Sequence, residues 1–164
     1  MGFLLLCAGA TFAQQGKAAK EPIAILELGA APSVGFTQHS FSMSPTMAVE
    51  VTPIENWLEL ELGTTPTFEH RSTEWDTDLL FKKPWTLSKT VEVMFGVGPV
   101  WIHSRENGAT ANFAGGEAAL DFMFWPSAKR RFGWYLEPAY QYNFGGGRDQ
   151  SFSVSVGLLI PVRR

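Results

Sequence analysis

An all-β fold, an up-and-down antiparallel transmembrane β-barrel of about eight strands, is what this sequence predicts. Three observations carry the prediction: hydrophobicity alternates with a period of two, small and acidic residues share the polar face, and aromatic residues gather at strand ends. The 164 residues provide for one domain and too few strands for a wide pore. With 45% hydrophobic, 18% charged and 13% aromatic residues and 16 glycines, the composition is that of a β-rich chain and not of a disordered one. A formal net charge of -3 without any Lys/Arg stripe excludes nucleic acid as the expected partner, because phosphate binding needs clustered positive charge.

The chain opens with an apolar run. Residues 3–13 are apolar and small, and Thr11, Phe12 and Ala13 ahead of Gln14 form a small-x-small cleavage pattern, so residues 1–13 read as a secretory signal peptide. No Lys or Arg precedes Lys17, so the usual basic start of such a signal is missing. Cys7, the only cysteine, lies in this run behind Leu6, a poor neighbour for a lipid anchor, and the rest of the chain has no thiol for a disulfide, a metal or catalysis. Residues 14–22 form an N-terminal segment and 23–162 the barrel; no later stretch approaches the roughly 18 apolar residues of a membrane helix.

Strand candidates then follow in order. In 23–31, Ala24, Leu26, Leu28 and Ala30 oppose Ile25, Glu27 and Gly29; residues 47–52 alternate around Glu50; in 57–63 leucines and glutamates (Glu59, Glu61) take opposite faces throughout. Residues 75–82 set Thr77, Leu79 and Phe81 against Asp76, Asp78 and Lys82, and 90–102 set Val91, Val93, Phe95, Val97 and Trp101 against Glu92, Gly96 and Gly98. Residues 117–124 oppose Ala118, Leu120, Phe122 and Phe124 to Glu117, Ala119 and Asp121; 134–142 oppose Trp134, Leu136, Tyr140 and Tyr142 to Glu137 and Gln141. The last, 151–162, sets Phe152, Val154, Val156, Leu158 and Ile160 against Ser153, Ser155 and Gly157. Pro99 and Pro138 fall inside strands, where each removes a ladder donor, so a bulge at Gly98-Pro99 and register breaks at both prolines are expected.

Alternation alone does not separate a membrane barrel from a soluble one. Bulky rows on one face and Gly, Ala, Ser and carboxylates on the other fit a narrow polar interior and an apolar outside. With the N-terminus inside, residues 53–56, 83–88 and 125–131 are the short inner turns, and 32–44, 63–73, 103–114 and 143–150 the longer outer loops. Trp57, Phe81, Trp85, Phe124, Trp125 and Trp134 then mark the inner edge of an aromatic girdle, and Trp75, Trp101, Tyr140, Tyr142 and Phe152 the outer one.

The end of the chain adds a motif. Ser155, Gly157, Ile160 and Val162 occupy the polar, glycine and two apolar places of the C-terminal assembly signal of outer-membrane barrels, although Val162 and then Arg163-Arg164 stand where that signal usually ends on an aromatic residue. With the strand pattern, the chain resembles the family of small eight-stranded bacterial outer-membrane β-barrel proteins, and no motif marks a subfamily. The resemblance implies a monomer in the bacterial outer membrane with residues 14–22 in the periplasm, contacts with outer-membrane lipid, the barrel assembly machinery and periplasmic chaperones, and no cofactor.

The polar face is unusually acidic. Glu27, Glu50, Glu59, Glu61, Asp76, Asp78, Glu92, Glu117, Asp121 and Glu137 all point inward on this reading, with Lys82 the one inward base within a strand. The expectation is that Arg71, Arg105, Arg130, Arg131 and Arg148 reach in from loops and turns and pair with them; the alternative is a lumen that holds protons, metal ions or a cationic ligand. For catalysis of the lipid A deacylase type the candidates are His103 with Ser104, and His39 with Ser40 or Ser42, but neither pair shows that family's His-x-Ser-Asn run. His70 has no spacing partner for a metal. The expected role is structural or surface-interacting, not catalytic; the alternatives are an outer-membrane lipid hydrolase and a soluble exported barrel for a small apolar ligand.

Overall fold

A computed structural model of the chain describes residues 22–37, 39–69, 72–127, 129–145 and 148–163. The expected signal peptide with Cys7, all but the last residue of the N-terminal segment, His70 and Arg71 lie outside the described residues. Eight strands follow one another: β1 (Ala24–Gly35), β2 (Ser40–Ile54), β3 (Leu58–Glu69), β4 (Ser72–Thr86), β5 (Val91–Glu106), β6 (Ala109–Phe124), β7 (Gly133–Asn143) and β8 (Gln150–Val162). Each pairs antiparallel with its neighbour in sequence, and β8 closes on β1, so the sheet is a closed up-and-down barrel without a free edge.

Alternation decides which face each side chain takes. Leu28, Met47, Leu62, Leu79, Val97, Val156 and Leu158 stand exposed on the outside, Leu62 at 56%, while Glu27, Glu50, Glu61, Lys82 and Asp121 are buried inside. This inverts the pattern of a water-soluble barrel: an exposed belt of Leu, Val and Phe is stable only against hydrocarbon. Trp57, Trp85, Trp134, Trp75, Trp101, Tyr140 and Phe152 also face outward, and Phe124 stacks on Trp134 with ring centres 4.1 Å apart. Trp125 does not belong to the girdle: it follows the last residue of β6, turns into the barrel and is 1% exposed.

The connections correct two expectations. Alternation continues well past most of the expected strand ends, so the expected outer loops 32–44, 63–73 and 103–114 are largely strand, with β1 joined to β2 by 36–39 and β5 to β6 by 107–108, whereas the 144–149 connection of β7 to β8 matches the expected 143–150. At the end that carries the termini the connections are 55–57, 87–90 and 125–132, so loop length does not tell the two ends apart. Asn107 and Gly108 both have positive φ, at 50° and 87°, as a two-residue hairpin turn of the twist-compatible type requires.

The prolines do not shift the register. At Pro99 the ladder to β4 stops at Asp78–Val100 and resumes at Phe81–Val97 in the same register, while Pro99 stays paired with Gly116 of β6. Pro138 does the same, losing its place opposite β6 but keeping Val154 of β8. In an antiparallel strand a residue's N–H and C=O point to one neighbour only, so a proline loses contact on one side and the other side holds the alignment. The shift that does occur lies elsewhere, between Val51 and Ile54 against β3.

Candidate functional site

The barrel interior is layered from the terminal end upward. The lowest layer is apolar: Ile25, Met94, Met123, Trp125, Tyr135 and Leu159 form one buried cluster that closes this end. Apart from Trp125, which lies beyond β6, these residues occupy polar-face positions of the period-two pattern, so their phase was readable from the sequence, but their packing into a plug was not. Beside the plug Arg130 lies over the Trp125 ring at 5.5 Å and pairs with Glu92 at 2.7 Å. Tyr135 hydrogen-bonds Thr46 at 3.2 Å, in space left by Gly29 and Gly157, which face each other across β1 and β8.

The middle layer is ionic. Lys82 from β4 is fully enclosed; its ammonium donates to Glu61 of β3, to Glu137 of β7 at 2.6 Å and to Asp121 of β6 at 3.4 Å. Glu27, Glu50 and Glu59 are buried in the same layer. Besides the adjacent β3, Lys82 thus reaches β6 and β7, which are not neighbours of β4 in the sheet, a span that only a closed and narrow barrel allows. Leu80, Ala119 and Ala139 fill the remaining space on that side.

Above it the lumen opens into a polar cup of about 440 Å³. Asp76, Asp78 and Glu117 line it with Glu74, Glu106 and Asp149, among serines and threonines; Glu27, Glu61 and Glu137 reach its floor. Gln141 donates to Asp76 at 3.1 Å. All ten carboxylates read from the sequence therefore lie inside the barrel, in three tiers. Of the arginines expected to balance them, Arg130 does so; among the described residues Arg105, Arg131 and Arg148 form no ion pair, and Arg71 lies outside them.

The candidate catalytic residues are not brought together. His103 and Ser104 are successive strand residues: His103 shares a 2.8 Å hydrogen bond with Asn112 through Nδ1, whereas Ser104 lines the cup. His39 sits at a turn with φ of 52° and, among the described residues, has no hydrogen bond to Ser40 or Ser42. In β8, Ser155 and Gly157 of the C-terminal motif face inward and Ile160 and Val162 outward.

No protein-family model matches the chain, and no curated protein is similar to it in sequence. Solved structures are similar in fold. Neisserial surface protein A superimposes with a TM-score of 0.71 at 10% identity, over 84% of this chain and 96% of that one. Ail, the attachment invasion locus protein of Yersinia pestis, gives 0.56 at 11% identity, over 85% and 97%. The N-terminal β-barrel domain of Pseudomonas aeruginosa OprF gives 0.56 at 10% identity, over 83% and 97%. At such identities the likeness is one of fold: the chain has the architecture of the small eight-stranded outer-membrane barrels.

Proposed function

We propose that this protein is a monomeric outer-membrane barrel whose role is structural or surface-interacting rather than that of a pore or an enzyme. The observation that carries it is the filled lumen under an outward apolar belt: plug and ionic layer occupy the barrel from the terminal end to mid-height, so no wide passage crosses it. What such a barrel offers a partner is its lipid-facing wall and the turns of the far end. Lipid contacts the belt, and insertion relies on the barrel assembly machinery and periplasmic chaperones. Ail has been solved with the heparin analogue sucrose octasulfate; the acidic cup here disfavours a polyanion inside the barrel, so any such contact belongs to the turns.

Neither alternative gains support. A soluble carrier of apolar ligands needs an apolar cavity, and this one is lined by Asp, Glu, Ser and Thr, with the large apolar side chains outside. A hydrolase needs a nucleophile beside its base, and His103 and Ser104 face apart.

The test combines fractionation with topology. The protein is expected in the outer membrane, with a band that shifts between unheated and heated samples. A membrane-impermeant maleimide is expected to label the Asn107→Cys variant, and not Ser88→Cys, in intact cells. Recovery in the soluble fraction without a band shift would overturn the reading, and labelling of Ser88→Cys alone would invert the orientation.

A further inference from the structure

Lys82 compensates only one side of the ionic layer. It takes Glu61, Glu137 and one oxygen of Asp121, leaving Oδ1 of Asp121, Oε1 of Glu27 and both oxygens of Glu50 buried without a hydrogen-bond partner. Glu50 is 1% exposed, and Asp121 fully enclosed. Such groups need a proton or a counter-charge, since a buried carboxylate without either costs several kcal/mol. The carboxylates that carry them also converge with Glu61: one oxygen each from Glu27, Glu50, Glu61 and Asp121 can be chosen so that all lie within 4.8 Å of one another.

We propose that this cluster is a binding site for one hard divalent cation, with Ca²⁺ as its probe. The donors are all carboxylate oxygens, the chemistry that selects Ca²⁺, Mg²⁺ or Mn²⁺ over Zn²⁺ and copper. Ligands at roughly 2.3–2.6 Å on opposite sides of a Ca²⁺ ion stand about 4.6–5.2 Å apart, and oxygens within 4.8 Å of one another can close on such an ion. The cup gives the ion a way in, because Glu27 and Glu61 form part of its floor and the rim above is itself acidic. Glu61 and Asp121 also hold Lys82, so ammonium and metal share these two carboxylates while Glu27 and Glu50 are left to the metal. The site does not depend on what the far-end turns contact.

The experiment uses the full-length barrel refolded in detergent micelles, stripped of metal, with Ca²⁺ itself as the probe. Equilibrium dialysis is expected to show saturable binding of one ion per chain. The unfolding midpoint, read from the gel shift on heating, is expected to rise by about 5–10 °C when Ca²⁺ exceeds its Kd a hundredfold. Glu50→Gln is expected to weaken binding at least tenfold while melting no lower than the parent in chelator, and the rim variant Glu106→Gln to bind as the parent does. Should Glu50→Gln fail to fold, Glu27→Gln is read in its place. Equal melting in chelator and Ca²⁺ without saturable binding would overturn the site. So would the same stabilisation by NaCl at matched ionic strength, or an equal loss in Glu106→Gln.

Discussion

Lys82 is held by carboxylates from β3, β6 and β7. Replacing it with Met leaves them buried and unpaired, so Lys82→Met is expected to destabilise the barrel by about 3–5 kcal/mol in urea unfolding from micelles. Adding Glu61→Gln and Glu137→Gln to that variant should restore part of the loss, and a triple variant no more stable than the single one would show that the ion pairs are not the cause. Gly157 is a second sensitive position. A Cβ there would stand 2.6 Å from Cε1 of Tyr135 and 2.7 Å from Cα of Gly29, so Gly157→Ala is expected to cost about 1–3 kcal/mol by overpacking. The inward phase of Lys82 and Gly157 was legible from alternation, while their contacts were not: each meets residues remote in sequence.

Between β2 and β3 the strands part company. Their backbone pairing ends at Met47–Thr64, and the same register continued would set Pro45 against Pro66, two residues without an N–H to offer. Above that point the seam is held by the hydroxyls of Ser44 and Thr67, 2.6 Å apart. Amides of β2 beyond Met47 that point to β3 are therefore expected to exchange with deuterium faster than those of the β5–β6 hairpin, whose ladder is unbroken from Val91–Phe124 to Glu106–Ala109. Ser44→Ala should widen the difference; equal rates along both pairs would show the seam to be closed by other means. The Asn107-Gly108 pair was the one strong turn signal in the sequence, and reading it would have carried β5 and β6 to their full length.

The whole barrel tests its two faces separately. Leu62, midway along the outer wall, faces the membrane at 56% exposure, and Leu62→Arg is expected to cost about 2–4 kcal/mol and to reduce the heat-shifted fraction. Ser153→Arg places the same charge in the acidic cup, where a cation is welcome, and should fold as the parent does. Equal losses in both would mean that the outward belt does not meet hydrocarbon.

Period-two alternation is a local property of a strand, set by the opposite directions of successive side chains, and so eight strands, their faces and ten inward carboxylates could be read residue by residue. The height of each strand against the others is not local; it follows from the stagger that closes the sheet. Only the closed barrel therefore decided that Lys82 meets Glu61, Asp121 and Glu137, that Trp125 turns inward, and that Glu50 stays unpaired beside Glu27.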